Sequence, residues 1–222
     1  MNTIAKTNIP LVSVIITCYN RAKEIQRAIA SVRWQTYSNV ELIVVDDASK
    51  DESVEKINAL RDPDLKLIKH SLNQGQNASI RSGLAHCNGD YVAFLDSDDI
   101  WLPSYIEQMI DAFEDDIEMA YCWMVGGIRS FLTKSNNYRD VLVQGYLSNL
   151  NTLIVRRRAL RPEECFPDLE GPLRVCQDDI LCFALAKDFK FKLVPLQLAV
   201  SLPAQNSMTK QSTDLADGLE IL

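Results

Sequence analysis

Three times between Leu11 and Asp96 a short β-branched run gives way to a segment with helical spacing, and this alternation limits the possible folds more than any other feature of the sequence. Leu11 to Thr17 reads as a strand, after which Ile25, Ala28, Ile29 and Val32 recur at the period of an amphipathic helix ending near Gln35. Val40 to Val45 repeats the strand signature, Asp51 to Leu60 reads as helix, Leu65 to His70 as strand and Ala78 to His86 as helix. Tyr91-Val92-Ala93-Phe94-Leu95 is then a run of five apolar residues, the pattern of a strand buried on both faces. Strands joined through helices pair in parallel by right-handed crossovers. The expected class is therefore α/β, with a mostly parallel central sheet flanked by helices.

Two of these strands end in acids. Asp46-Asp47 follows the second, and Asp96-Ser97-Asp98-Asp99 follows the fourth, at the carboxyl ends where open α/β sheets bind ligands. Two like charges about 4 Å apart repel by roughly 4 kcal/mol at an effective dielectric near 20, so the cluster needs a cation, a proton or a separating geometry. A divalent metal would satisfy it, since hard cations take carboxylate oxygens and recruit substrate phosphates. An acidic loop capping the next helix would also satisfy it, with Asp99 or Ser97 near the helix start and Pro103 in its first turn. Asp178 carries a similar pair of readings, a general base toward an attacking hydroxyl or the N-cap of a helix from Ile180. No G-x-G-x-x-G or Walker lysine loop follows the first strand, so backbone amides are not the evident phosphate cradle.

Past the acids, Ile106, Met109, Ile110 and Phe113 mark a helix and Glu118 to Met124 a strand, after which the alternation lapses. Gly126-Gly127 through Asn149 reads as loops and short antiparallel strands, Asn151 to Val155 as a strand, Gly171-Pro172 as a flexible approach, Ile180 to Ala186 as helix and Phe191 to Val194 as strand. One domain over residues 10–207 fits this pattern, with a regular half (10–124), an irregular half (125–207) and tails at 1–9 and 208–222. The formal charge of −7 in 222 residues argues against a nucleic-acid backbone binder. Six scattered cysteines without a C-x-x-C pair or a signal-like leader suggest reduced thiols and a cytoplasmic location. No apolar run approaches the roughly 20 residues of a membrane helix, so membrane contact at the inner face would be peripheral. His70 and His86 read as isolated, and Arg156-Arg157-Arg158 as solvated surface.

Ser13-Val14-Ile15-Ile16-Thr17-Cys18-Tyr19-Asn20-Arg21, Gln35-Thr36-Tyr37, Glu41-Leu42-Ile43-Val44-Val45-Asp46-Asp47-Ala48-Ser49 and Leu95-Asp96-Ser97-Asp98-Asp99 together resemble the ordered signature of glycosyltransferase family 2. The resemblance implies a GT-A fold, a Rossmann-like nucleotide-diphospho-sugar transferase with a donor half and an acceptor half. It implies an inverting transfer from a nucleotide sugar, with a UDP-sugar as the family default, to a hydroxyl of a glycan or glycolipid in polysaccharide biosynthesis. By position it places Thr17, Tyr19, Asn20, Asp47 and Asp96 at the donor, and Asp98 with Asp96 on a Mn²⁺ or Mg²⁺ ion. It gives Asp178 the role of catalytic base, and sets Asn151 and Thr152 toward the acceptor. Trp101, after the acidic cluster, reads either as facing the acceptor sugar or as packing beside the site.

The chain departs from the family pattern in three places. Gln177-Asp178 stands for the usual Glu-Asp, and a histidine common near Leu202-Pro203-Ala204 is missing. Ile80 occupies the usual phosphate-binding arginine position, with Arg81 one residue later as the substitute at the donor. Two other functions fit parts of the pattern: a catalytically silent nucleotide-sugar or glycan binder of the same fold, and a receiver-like domain phosphorylated at Asp96.

Overall fold

A computed structural model describes residues 9–125, 149–168 and 177–202. The regular half runs β1 (Val12–Cys18), α1 (Ile25–Arg33), β2 (Val40–Asp46), α2 (Ser53–Asn58), β3 (Leu65–Lys69), α3 (Gln76–Leu84) and β4 (Tyr91–Asp96). It continues through β5 (Ile100–Trp101), α4 (Tyr105–Ile110) and β6 (Ile117–Val125). The second half supplies β7 (Leu153–Arg156), α5 (Pro162–Cys165), α6 (Gln177–Ala186) and β8 (Lys190–Val200), with 3-10 turns at Leu150–Thr152 and Arg157–Ala159. The stretches expected as loops around Gly126-Gly127 and Gly171-Pro172 lie outside the described residues.

One eight-stranded sheet in the order β3-β2-β1-β4-β7-β6-β8-β5 joins both halves. β1 pairs in parallel with β2 and β4, and β2 with β3, as the crossovers through α1, α2 and α3 require. β7 enters antiparallel between β4 and β6, while β8 runs parallel to β6. The sheet is thus mixed with parallel pairings in the majority, the α/β class that the alternation predicts and the arrangement that the family resemblance implies.

The alternation of β1 explains why both faces are covered. Val12, Val14, Ile16 and Cys18 face one layer with Ile25, Ala28 and Ile29 of α1 and Ile106 and Met109 of α4. Ile15 faces the other, with Ile80 of α3 and Leu181 and Leu185 of α6. Each fully buried Val, Ile, Leu or Met among them contributes about 1.5–3 kcal/mol relative to exposure. The described cysteines, Cys18, Cys87, Cys122, Cys165 and Cys182, are buried thiols with no disulfide among them.

Three local expectations change. Asn151 and Thr152 belong to a 3-10 turn rather than to the strand, because Asn149 accepts the Asn151 amide through its side chain and the Thr152 amide through its carbonyl. Helix α6 begins at Gln177, so Asp178 lies inside its first turn and not at the cap of a helix from Ile180. β8 runs on past Pro195 to Val200, its irregular register against β6 absorbing the missing proline N–H. No helix among the described residues is long and apolar enough to cross a membrane.

Candidate active site

The carboxyl ends of β1, β2 and β4 lie level, since Cys18 pairs with Asp46 and Thr17 with Asp96. Half-buried Thr17 therefore sits between the two acid-tipped strands. Beyond it, Tyr19 is 41 % exposed and Asn20 adopts a positive φ of 53°. Asn20 is laced to the β2–α2 loop, donating its backbone N–H to Ser49 Oγ at 3.0 Å and accepting the Lys50 N–H at Oδ1 at 2.8 Å. These contacts fix the two loops as one wall and leave the Tyr19 ring open to a ligand.

Asp47 is buried, and its carboxylate accepts the backbone N–H of Gln74 at 2.9 Å and of Gly75 at 2.7 Å. His70 Nδ1 lies 2.7 Å from the same carboxylate, and His70 Nε2 lies 2.9 Å from Ser82 Oγ. The histidine that sequence reading set aside as isolated is thus a strut behind Asp47. Its only local signal was its place at the end of a strand. A carboxylate offers about four lone-pair sites, so these three bonds leave Asp47 one acceptor site. Gly75, at φ 89°, turns the chain into α3 where a side chain would be strained.

Asp96 accepts Gln76 Nε2 at 2.8 Å and Asn151 Nδ2 at 3.1 Å, and its backbone N–H donates to Asn151 Oδ1 at 2.5 Å. Burial, with Asp98 close by, pushes the Asp96 carboxyl up to about 6 despite the Asn151 and Gln76 hydrogen bonds. Asp99 accepts Asn151 Nδ2 at 2.5 Å and the Leu202 N–H at 3.0 Å, and burial followed by the nearby Asp96 pushes it up to about 7. The helix-cap reading fails for Asp99. The two-residue strand β5 separates it from α4, whose cap position is Ser104. Asp98 instead pairs with Arg21, Nε to Oδ2 at 3.3 Å.

Asn151, Thr152 and Trp101, expected at the acceptor, are all turned inward. Trp101 stacks on Tyr105 with ring centroids 4.1 Å apart and donates Nε1 to the Asn151 carbonyl at 2.6 Å. Thr152 Oγ1 donates to the Asn149 carbonyl at 2.7 Å. Asn151 supports the acidic turn from below through its bonds to Asp96 and Asp99, residues more than fifty positions away, and Trp101 holds the Asn151 carbonyl.

Arg81 differs from its expected place in a similar way. Its guanidinium donates to the Phe166 carbonyl and pairs with Asp168, whereas Ile80 is buried in the core. The 100° turn between successive helical positions separates the two directions. Asp178 is half-buried in the first turn of α6. Arg156 to Arg158 lie at the opposite end of β4. Arg156 bonds the Ile117 carbonyl and covers the Tyr91 ring, Arg157 bonds the Gly89 carbonyl, and Arg158 pairs with Glu118. The basic run is a clamp remote from the acids.

Among the described residues, no group of three His, Cys, Asp or Glu side chains is placed to hold a metal. Two carboxylates, Asp96 and Asp98, nevertheless fit Mg²⁺ or Mn²⁺, which bind through one or two acids and complete their shell with water and substrate phosphates. Burial is the larger cause of the raised Asp96 carboxyl, and the nearby Asp98 charge adds to it, so the two carboxylates stand close enough to act on each other.

The sequence model of glycosyl transferase family 2 matches residues 13–166, and the chain belongs to that family. An uncharacterized glycosyltransferase of Haemophilus influenzae is 34% identical over 163 residues, covering 69% of this chain and 65% of that protein. The Escherichia coli UDP-Glc:alpha-D-GlcNAc-diphosphoundecaprenol beta-1,3-glucosyltransferase WfaP is 33% identical over 141 residues, 63% of this chain and 51% of that protein. The chain thus spans about half to two thirds of the length of these relatives.

Among solved structures, residues 1–349 of S. aureus TarS with UDP-GlcNAc superpose at a TM-score of 0.77 and 19% identity, over 90% of this chain and 60% of that one. The mannosyltransferase PcManGT from Pyrobaculum calidifontis, in complex with GDP-Man and Mn²⁺, gives 0.67 at 20% identity, over 90% and 59%. At these identities the likeness is one of fold. Together with the eight-stranded mixed sheet, the family match sets aside the receiver-like alternative.

Proposed function

We propose that this chain moves a sugar from a nucleoside-diphosphate donor, a uridine diphosphate sugar by preference, to a hydroxyl of a glycan or glycolipid, with inversion at the anomeric carbon. The observation that carries the reading is the placement of Asp96 and Asp98 beside the β1 loop at the level carboxyl ends of β1, β2 and β4. Thr17, Tyr19 and Asn20 form the nucleoside wall, and Asp47 offers its remaining acceptor site to the base. Asp96 faces the ribose and, with Asp98, would hold Mn²⁺ or Mg²⁺. When bound, the ion supplies positive charge to the departing diphosphate.

Asp178 takes the proton of the acceptor hydroxyl as its oxygen bonds to the anomeric carbon. The bond from that carbon to the diphosphate oxygen breaks, and its electron pair leaves with the nucleoside diphosphate. Attack opposite the leaving group inverts the centre. The relatives' named use of UDP-glucose and of an undecaprenol-linked acceptor supports uridine and a lipid-linked glycan. Such an acceptor favours a role in surface polysaccharide synthesis at the cytoplasmic face of a membrane, with the donor in residues 10–124 and the acceptor in 125–207.

The test is turnover of UDP-sugars with Mn²⁺ over a panel of lipid-linked acceptors. Asp178→Asn should lower the rate by about 10² to 10⁴ while donor binding persists, and Asp98→Asn should abolish the response to Mn²⁺. Unchanged turnover in either variant removes that residue's role. Donor binding with no turnover by the wild type on any acceptor would favour the catalytically silent alternative.

A further inference from the structure

Arg21 ends the first sequence block and had no role beyond it. Its backbone is fixed. The N–H donates to Ser53 Oγ at 2.8 Å, and the carbonyl accepts the N–H groups of Glu24 and Ile25 as α1 begins. The side chain reaches across to the acidic turn, where Nε lies 3.3 Å from Asp98 Oδ2, with the two side chains only 16% and 18% exposed. Arg27 reinforces the approach, donating Nη2 to the Asp98 backbone carbonyl at 2.8 Å. Two arginines from one side of the site therefore grip the residue that would bind a metal. Meanwhile Arg81, the phosphate candidate by sequence, is engaged with Phe166 and Asp168.

A guanidinium and a divalent ion cannot both sit against one carboxylate without strong like-charge repulsion. A guanidinium displaced from a carboxylate has a ready alternative in phosphate, whose oxygens match its planar fork of donors. We propose that Arg21 is the resident counter-ion of Asp98 and a donor-positioning residue. It neutralises Asp98 until metal and donor arrive, yields the carboxylate to a divalent cation, and turns its guanidinium to the diphosphate of the arriving donor. The exchange moves only charge partners and breaks no covalent bond. It rests on the donor and metal reading above and adds a residue which that reading leaves without a task.

The experiment measures Mn²⁺ binding to the whole chain without nucleotide, by the loss of the free-ion paramagnetic resonance signal, and uridine diphosphate binding in saturating Mn²⁺ by calorimetry. Arg21→Gln removes the competing cation, so Mn²⁺ should bind about tenfold more tightly, whereas uridine diphosphate should bind about tenfold more weakly. Arg21→Met keeps most of the apolar stem and carries the same expectation should the glutamine variant fail to fold. Movement of the two affinities in opposite directions supports the exchange. Mn²⁺ affinity that is unchanged or weaker, or an unchanged affinity for uridine diphosphate, overturns it while leaving the donor site standing. A wild-type chain that binds neither ligand overturns the donor reading and this inference together.

Discussion

Asn151 and Asp96 hold each other by two hydrogen bonds. The Asp96 N–H donates to Asn151 Oδ1 at 2.5 Å, and Asn151 Nδ2 donates to Asp96 Oδ2 at 3.1 Å. The same amide reaches Asp99, so one fully buried side chain spaces two carboxylates of the acidic turn. Replacing it by Ala leaves three buried polar groups short of a partner and should cost about 2–4 kcal/mol. Asn151→Asp adds a third negative charge with no donor and should cost more at neutral pH than at pH 5. Urea unfolding at the two pH values checks this, and equal midpoints for wild type and Asn151→Asp at pH 7 would contradict it.

The raised Asp96 and Asp99 carboxyls fix the sign of a pH effect. Their folded values of about 6 and about 7 exceed the ordinary 3.8, so ionisation opposes folding. Their contribution is fully favourable below about pH 4 and is lost as pH rises through 6 and 7. The melting midpoint of the metal-free chain should therefore fall between about pH 5 and pH 8. Mn²⁺ should raise it more at pH 8 than at pH 5, because the ion binds the ionised acids. Asp99→Asn should flatten the slope; a slope unchanged by that substitution would count against this account.

His70 stands behind Asp47, and Asp47 in turn holds the turn at Gln74 and Gly75. His70→Ala should cost about 1–2 kcal/mol and weaken uridine diphosphate binding several-fold, since the nucleoside wall loses its support. Thermal unfolding and calorimetry measure the two effects separately. Stability loss with unaltered nucleotide affinity would restrict His70 to a structural role.

At the far end of the sheet, Glu41 accepts hydrogen bonds from Ser13 Oγ at 2.5 Å and from the N–H groups of Asn88 and Gly89. Burial alone would raise its carboxyl, yet the bonds from Ser13, Asn88 and Gly89 outweigh burial and hold it below 4.5. Its stabilisation is complete above about pH 4.5 and is lost as pH falls through the depressed value. A Cβ at Gly89 would lie 2.6 Å from Ser13 Oγ and 2.7 Å from the Leu11 carbonyl. Gly89→Ala should thus destabilise by about 3 kcal/mol, against about 1 kcal/mol for Glu41→Gln at neutral pH. Denaturant midpoints that rank the two variants in the reverse order would refute the packing argument.

The sequence made β1 to β4 and α1 to α3 legible to within a few residues, because local periodicity encodes which face is buried. It also made the acid-tipped strand ends legible, since their composition breaks abruptly from the apolar runs before them. What it hid were partnerships across long separations. The inward placement of Asn151 and Trp101, the strut at His70 and the ion pair of Arg21 depend on how strands are ordered in space. Gln35 is a further case. Its amide bonds the Leu102 carbonyl and accepts the Ile106 N–H, so its block fastens α1 to the segment after the acids. β5 was hidden for the same reason, as two residues carry no period and exist only through pairing with β8.

The Leu202 N–H that donates to Asp99 lies 103 residues downstream of it and just beyond the last strand. Closure of the acidic turn therefore waits on the end of the described chain. During synthesis Asp47 and Asp96 meet partners as early as Gln74 and Gln76, yet Asp99 gains its second partner only once β8 has docked beside β6 and β5. A chain interrupted before that strand would keep Asn151 between Asp96 and Asp99 and lack the strap that closes over Asp99.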